Sequence, residues 1–498
     1  MSGKKLPSNW AWSRLGDLGA WSGGGTPSKA NLAFWEDGSI PWVSPKDMKF
    51  GRIRSSENSI TEEAVAQSSA KLIPANSILM VTRSGILAHS FPVAVNEPEV
   101  TVNQDLKTLT PADNISPDFL AWHLRSENYR ILKECAKHGT TVASIDTHRL
   151  KNFSIPIAPL NEQHRIVEKI ETLFAKIDKG EEALREVQKL LKRYRQSILK
   201  AAVTGELTRD WREANQHKLE PASDILARIL ESRRENWQGP GKYKAPNIPD
   251  TANLPELPEG WVWAPLEGLC MPRKHALKAG PFGSALKKSD YSASGYKIYG
   301  QEQVIGGDWT IGDYFIDEEK YQELQNCSVS PRDVLISLVG TIGKVLILPP
   351  ECAPGIINPR LVKVSLEENV YLPEFFKLYF ESSFLKALYK LDAHGATMDV
   401  LNLGIIRKLP YPLCSPEEQK LIVDRATEAL ESAAALEVWC QAELKRSNAL
   451  RQSILKSAFT GQLVPQDPDD EPASELLARI RAEREATPKS KSRRKARV

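Results

Sequence analysis

Arg195-Gln196-Ser197-Ile198-Leu199-Lys200 stands a second time, unchanged, as Arg451-Gln452-Ser453-Ile454-Leu455-Lys456, 256 positions further on. Other pairs keep that offset: His138-Gly139 with His394-Gly395, Glu162-Gln163 with Glu418-Gln419, and Thr204-Gly205 with Thr460-Gly461. The halves also open alike, Leu6-Pro7, Trp10 and Trp12 matching Leu257-Pro258, Trp261 and Trp263. They close alike too, with Glu220 to Ser223 and Leu226 to Ile229 returning as Glu471 to Ser474 and Leu477 to Ile480. One large unit is written twice, the signature of a protein holding two similar sites in a fixed relation.

The motif lies near the end of a long helical stretch. From Asn161, read as an N-cap with Glu162 in the first turn, no proline occurs before Pro221. Apolar residues fall at Ile166, Ile170, Leu173, Ile177, Leu184, Val187, Leu191, Tyr194 and Ile198. That is a heptad seam lacking one knob at Gly180, or a helix kinked there. The second copy opens on Ser415-Pro416-Glu417-Glu418, an N-cap with proline at the first helical position. Its seam is smaller and less regular: Ile422, Ala426, Ala429, Ala433, Leu436, Leu450 and Ile454. The economical arrangement packs the two helices on each other as an antiparallel coiled coil; the alternative packs each on its own globular part.

Working outward, each helix follows a globular part of short strands and turns. Ser77 to Val81 and Phe91 to Val95 read as strands, Gly23 to Pro27 as a loop, and Pro117 to Leu124 as a helix. The second half matches with strands at Asp333 to Val339 and Lys344 to Leu348, and a helix from Pro373 to about Tyr389. The expected class is therefore α+β, with a pseudo-two-fold internal repeat. The boundaries expected are a globular domain at 1–155, a long helix and helical region at 156–235, and a Pro-rich extended linker at 236–256. A second globular domain follows at 257–411, then a second long helix and helical region at 412–485, and a basic disordered tail at 486–498.

The chain of 498 residues is 41% hydrophobic, ordinary for a globular protein. No apolar run approaches the roughly 18 residues that span a bilayer, and Met1 to Leu6 carries no apolar signal region after its lysines. The six cysteines are scattered without a CxxC pair, which points to a reducing cytoplasm. The formal charge of +3 conceals the tail, whose Lys489, Lys491, Arg493, Arg494, Lys495 and Arg497 have no acidic neighbour. Without those six, 60 basic residues face 63 acidic ones. The body cannot grip a polyanion by overall charge, so any nucleic-acid contact must come from local patches or with a partner's help.

The globular–helix–globular–helix order, with Leu450-Arg-Gln-Ser-Ile-Leu-Lys456 followed by Ala458-Phe-Thr-Gly-Gln-Leu463, resembles the specificity subunit of a Type I restriction–modification system. Tyr194 to Lys200 with Ala202 to Leu207 is the first copy. Gly24-Gly-Thr-Pro-Ser28, Ile40-Pro-Trp42 and Lys46-Asp-Met48 resemble one target-recognition subtype. Gly280-Pro-Phe-Gly-Ser284, Leu286-Lys-Lys288 and Tyr299-Gly-Gln301 resemble another. The resemblance implies two target-recognition domains that read the unlike halves of a bipartite double-stranded DNA sequence. It implies a coiled coil as spacer, docking two modification (methyltransferase) subunits, with restriction (translocase/nuclease) subunits completing the complex. No cofactor is expected in this chain; S-adenosylmethionine would sit on the modification subunits, and ATP and Mg on the restriction subunit.

The residues themselves lack catalytic equipment. There is no Asn/Asp-Pro-Pro-Tyr/Phe run, no GxGxxG, no Walker A and no HExxH or other metal-ligand spacing. Gly340-Thr-Ile-Gly-Lys344 has the wrong spacing for a phosphate loop and reads as a turn between strands. His138 and His394 suit a structural or capping role, and Trp35 and Trp42 local core. A non-catalytic chain is expected. Base reading needs Arg or Lys for guanine and Asn or Gln for adenine. The candidates on polar loops are Lys46, Arg52, Arg54, Arg83 and Gln104 in the first domain, and Lys287, Lys288, Gln301, Gln303 and Lys344 in the second. Candidate helix-packing and partner-docking residues are Ile166, Ile170, Leu173, Ile177, Leu184, Val187, Leu191, Ile198, Ile422, Leu436, Leu450 and Ile454. Lys189, Lys192, Arg193 and Arg195 read as a solvated helix face, with phosphate contact as the sharper alternative. A coiled-coil scaffold with peptide-binding globular domains is the other reading.

Half-sites on one face of a duplex lie about 34–36 Å apart per helical turn, and a helix of about 40 residues is roughly 60 Å long. Helix length would then set the spacer. Inserting one heptad near Ala202 to Leu207 is expected to change the preferred spacer while both half-site sequences stay the same, as read by methylome sequencing.

Overall fold

A computed structural model describes residues 6–137, 142–237, 242–251, 254–392 and 401–486. His138, His394 and most of the basic tail lie outside these residues. The chain divides into two compact units, one of residues 1–184 with 442–498, the other of residues 185–441. Each unit therefore contains one globular domain, the beginning of one long helix and the end of the other.

The first long helix runs Leu160–Val203 without a break, and the second Pro416–Ala458. The helix continues through Gly180. The seam position it appeared to leave empty is filled next door by Glu181. In the first unit, Arg451 of the second helix reaches Asp178 at 2.7 Å and Glu181 at 3.1 Å, and Ser447 donates to the same Glu181 carboxylate. In the second unit, Arg195 meets Glu437 at 3.0 Å. In both units the start of one helix lies beside the end of the other, so the pairing is antiparallel.

These pairs correct the apolar reading of the seam. Ile166, Ile170, Leu191, Ile198, Ile422 and Ile454 are buried, and Leu173, Ile177, Leu184 and Val187 are half-buried. Leu436, Leu450 and Tyr194, at 42%, 50% and 51% exposure, face out instead. The inward positions beside them belong to Glu437, Arg451 and Arg195, because a guanidinium facing a carboxylate satisfies the seam without the close packing that leucine needs. Arg195 consequently leaves the solvated face to Lys189, Lys192 and Arg193. The pairs are copies of each other: Arg195 and Arg451 open the duplicated motif, and Glu181 and Glu437 stand at the same 256-residue offset.

In the first domain the sheet order is Gly19–Gly23, Leu106–Pro111, Ile78–Val81, Val93–Asn96, Arg52–Ile53. A second sheet places Ile40–Val43 between Asn58–Ile60 and a parallel neighbour, Thr101–Val102. The second domain follows the same plan with Leu277–Ala279, Leu361–Val364, Val334–Ser337 and Val345–Ile347. Its smaller sheet has Tyr296–Tyr299 between Phe315–Ile316 and the parallel strand Gly355–Ile357. The expected strands thus form, with ends shifted by one or two residues. The helix expected from Pro373 divides into Pro373–Phe380 and Ser383–Asp392, because buried Ser382 caps the second piece through Leu385 N–H at 3.2 Å.

Each domain is closed by a two-stranded pair, Ala11–Arg14 with Ser154–Ile157 and Val262–Pro265 with Pro410–Leu413, and is seated on the helix that follows it. Trp10 Nε1 donates to Glu162 at 3.0 Å and Trp261 Nε1 to Glu418 at 2.9 Å. Gln163 accepts from Ser116 N–H and donates to the Ala158 carbonyl; Gln419 accepts from Leu372 N–H and donates to the Val370 and Cys414 carbonyls. Gly205 and Gly461 end the long helices at φ of +72° and +71°, where a side chain would be strained and would strike Pro258 and Pro7 respectively.

Arg451→Met alone is expected to lower stability by about 1–3 kcal/mol, since it takes the charged donor away from the partly buried Glu181 carboxylate. Adding Glu181→Leu should recover most of that loss. Thermal unfolding of the full-length chain measures both.

Candidate nucleic-acid interface

Parallel pairing of a central strand with a late strand brings distant loops to one end of each domain. In the second domain four loops meet, at 280–286, 300–303, 338–344 and 358–360. Gly280 N–H donates to the Leu361 carbonyl at 3.0 Å, Asn358 N–H to Tyr299 at 2.9 Å, and Leu338 N–H to Arg360 at 3.0 Å. Gln301 Nε2 donates to the Val339 carbonyl, tying the second loop to the third. Gly280 is required here, since a Cβ would come within 1.9 Å of the Asn358 carbonyl oxygen.

Lys287 and Lys288 are exposed beside the first loop, and the Asp290 carboxylate accepts from Lys287 N–H at 2.7 Å. Lys344 is half-buried at the end of the hairpin between Val334–Ser337 and Val345–Ile347. Gly340 and Gly343, at φ of +72° and +70°, turn that hairpin, so the Gly340–Lys344 stretch is a turn. Gln303 departs from expectation. It is fully buried, its amide oxygen accepting from Gly300 N–H at 2.8 Å and its nitrogen donating to the Ile311 carbonyl at 2.6 Å. A side chain spent at both ends inside the domain cannot read a base edge. Gln301 has committed one of its two N–H donors and keeps its acceptor.

The first domain builds the same end from 23–28, 44–47, 82–88 and 103–105. Trp42 Nε1 donates to the Gly25 carbonyl at 3.0 Å, Trp35 Nε1 to Ser28 at 3.1 Å, and the two rings meet edge to face at 5.2 Å. The tryptophans hold the Gly24–Ser28 loop in place as local core. Asn103 N–H donates to Val43 at 2.9 Å and Arg83 N–H to Asp105 at 3.1 Å. Lys46, Arg83 and Gln104 are exposed around this end. Gln104 accepts from Thr26 Oγ1 at 2.5 Å, which leaves its nitrogen as the donor. A two-bond adenine contact needs both atoms, and the oxygen has one lone pair left for it beside Thr26.

Arg52 and Arg54 are not brought to this end. Their strand pairs with Val93–Asn96 at the sheet's edge, where Arg52 meets Asp118 at 2.8 Å and Arg54 meets Glu97 at 2.9 Å. A neighbouring cleft of about 770 Å³ contains Arg52 together with Phe50, Trp122 and Arg125. Burial lowers the Arg125 pKa to about 10, and its guanidinium is occupied by the Gly51 and Val93 carbonyls at 2.7 and 3.1 Å. It acts as a brace for the turn.

Sequence reasoning missed Arg360 and Phe282, both exposed at the second domain's end. Arg360 sits at the start of a strand and becomes a neighbour of the 338–344 loop only through sheet pairing. Lys363, on the same strand, points inward to the Ser328 carbonyl at 2.6 Å and lies 4.0 Å from Asp333. Burial lowers the Lys363 pKa and raises that of Asp333, as expected for a pair supporting the sheet from beneath. Among the described residues, no group of three or more His, Cys, Asp or Glu side chains is placed to hold a metal ion, and no helix is long and apolar enough to cross a membrane.

Known proteins share both sequence and fold with this chain. Residues 7–189 match the family model described as Type I restriction modification DNA specificity domain. The first globular domain and the start of its helix are thus similar to that specificity domain. It is 49% identical over 172 residues to the Type I restriction enzyme EcoR124I/EcoR124II specificity subunit of Escherichia coli, a match covering 34% of this chain and 43% of that relative. It aligns with the EcoKI specificity subunit of Escherichia coli K12 over 99% of its own length and all of that protein, at 24% identity. In fold it is similar to the crystal structure of the HsdS subunit from Thermoanaerobacter tengcongensis, with a TM-score of 0.57 and 20% identity over 93% of this chain and 99% of that one. A chain solved for the assembly and conformational transition of the type I R-M system gives a TM-score of 0.62 at 19% identity, over 92% and 100%. Both structural neighbours support the α+β architecture with paired long helices.

Gln303→Ala is expected to destabilise the protein by about 1–3 kcal/mol, by orphaning Gly300 N–H and the Ile311 carbonyl. The readout is a lower melting temperature with no shift in the recognised bases.

Proposed function

We propose that this chain is the non-catalytic reader of a Type I restriction–modification complex. Each globular domain reads one half of a bipartite, asymmetric double-stranded DNA target through its loop end, and the paired helices hold the domains at a set spacing. The observation that carries this reading is the loop end itself. The same four-loop frame occurs in both domains, yet one tip is Gly24-Gly-Thr-Pro-Ser28 and the other Gly280-Pro-Phe-Gly-Ser284. A common frame with unlike tips suits two different half-sites.

In this reading Lys46, Arg83 and Gln104 in the first domain and Lys287, Lys288, Gln301, Lys344 and Arg360 in the second face DNA. Arg52 and Arg54 would contribute only by exchanging their carboxylate partners for phosphates. The outward-facing Leu436 and Leu450 are available for two modification subunits on the helices, with restriction subunits joining that assembly. S-adenosylmethionine belongs with the modification subunits, and ATP and Mg with the restriction subunits. The peptide-binding scaffold has no comparable support, since the relatives are named specificity subunits.

Methylome sequencing of a host carrying the full system is expected to reveal one split target with two unlike halves. The chain with its modification partner should give a sequence-selective footprint, and the chain alone should transfer no methyl group from S-adenosylmethionine. Methyl transfer by the isolated chain would overturn the non-catalytic assignment. Lys287→Ala and Lys288→Ala should each reduce the salt dependence of binding by about one counterion and weaken binding to all sequences alike, if they contact phosphates.

A further inference from the structure

Phe282 is 82% exposed, an unusual position for a phenyl ring on a well-built turn. The turn is held on both sides. Before it, Pro281 is buried and Gly280 is hydrogen-bonded to Leu361 against the Asn358 carbonyl. After it, Ala285 N–H returns to the Phe282 carbonyl at 3.2 Å, Gly283 adopts φ of +59°, and Leu286 is buried. The ring therefore stands on a fixed base and has no packing role that would explain it.

Its surroundings are cationic. Lys287 and Lys288 follow five and six residues later, Arg360 comes from the 358–360 segment beside Gly280, and Lys344 from the loop bonded to that segment in turn. No ion pair involves these four side chains among the described residues, although exposed Glu302 stands on the 300–303 loop. An exposed aromatic ring among unpaired cations suits a ligand that is anionic at its edge and offers flat apolar faces within. Stacked base pairs bordered by phosphates have that chemistry.

We infer that Phe282 is a wedge that enters the base stack of double-stranded DNA beside the half-site read by the second domain, with Lys287, Lys288 and Arg360 holding the flanking phosphates. The inference rests on the DNA-reading function proposed above and adds a second activity to it. The second domain would unstack its target as well as recognise it, easing extrusion of a base for chemistry by a modification partner. The corresponding tip of the first domain carries Thr26 bonded to Gln104, so the two domains would act unequally on their half-sites.

The test uses the full complex with its modification partner, and duplexes of the methylome-defined target carrying 2-aminopurine at successive positions of each half-site. Wild type is expected to raise fluorescence at one step in the second half-site. Phe282→Ala should abolish that signal and weaken specific binding roughly 10- to 100-fold, the scale for removing an aromatic ring that stacks on a base. Phe282→Leu, which keeps an apolar wedge, should retain much of both. The salt dependence of binding should be the same in all three, because no charge is altered. Because the ring is exposed, melting temperatures should not move. A Phe282→Ala complex that matches wild type in affinity and fluorescence overturns the wedge while leaving DNA recognition standing. Absence of any sequence-selective footprint with wild type overturns the DNA reading, and the wedge with it.

Discussion

The architecture depends on a buried carboxylate at the start of each long helix. Glu162 accepts from the Trp10 indole and from Gln466; Glu418 accepts from the Trp261 indole, from Thr208 at 2.7 Å and from Arg212 at 2.5 Å. Each carboxylate ties three segments together: the opening of a domain, the helix that leaves it, and the chain just beyond the end of the other helix. Burial raises the Glu162 pKa, while the Trp10 and Gln466 donors and nearby Arg165 oppose that shift. A buried carboxylate without such donors would cost more than the domain could recover from burying nearby apolar surface. The duplicated Trp and Glu-Gln residues are thus the joints of the frame.

With the ends joined this way, the seam between the helices can be thin. Leu173, Ile177, Leu184 and Val187 are only half-buried, and two Arg–Glu pairs clasp the helices there. Such pairs discriminate against a shifted pairing more than they add stability, because a slip of one heptad would part each guanidinium from its carboxylate. The duplicated Arg-Gln-Ser-Ile-Leu-Lys motif therefore combines two jobs. Its arginine clasps the partner helix, and its isoleucine and leucine join the core beneath a globular domain.

The candidate interface shows a similar division between frame and tip. Glycines and buried amides such as Gln303 fix the loops, while the groups facing outward differ between the domains. Sequence periodicity could nominate Lys287 and Lys288 because they sit on a loop with its own motif. It could not separate Gln301 from Gln303, since two residues of one type, two positions apart, diverge only when a helical turn buries one of them. Arg360 and Phe282 escaped for a related reason. Their significance comes from neighbours across the sheet, to which local pattern is blind.

Duplication, domain order, the long helices and the split of each half into globular and helical parts were legible from the sequence alone, because they rest on periodicity and repetition within the chain. The likeness to specificity subunits was legible as well, from motif order. Tertiary structure decided which seam positions face inward, placing Glu181, Arg195, Glu437 and Arg451 where apolar residues were expected. It also decided which candidate side chains are already committed within the fold, withdrawing Gln303 and pairing Arg52 and Arg54 with carboxylates. The physical reason is common to both. A charged or amide side chain is committed by whichever partner the fold brings within about 3 Å, and those partners lie tens to hundreds of residues away in the chain.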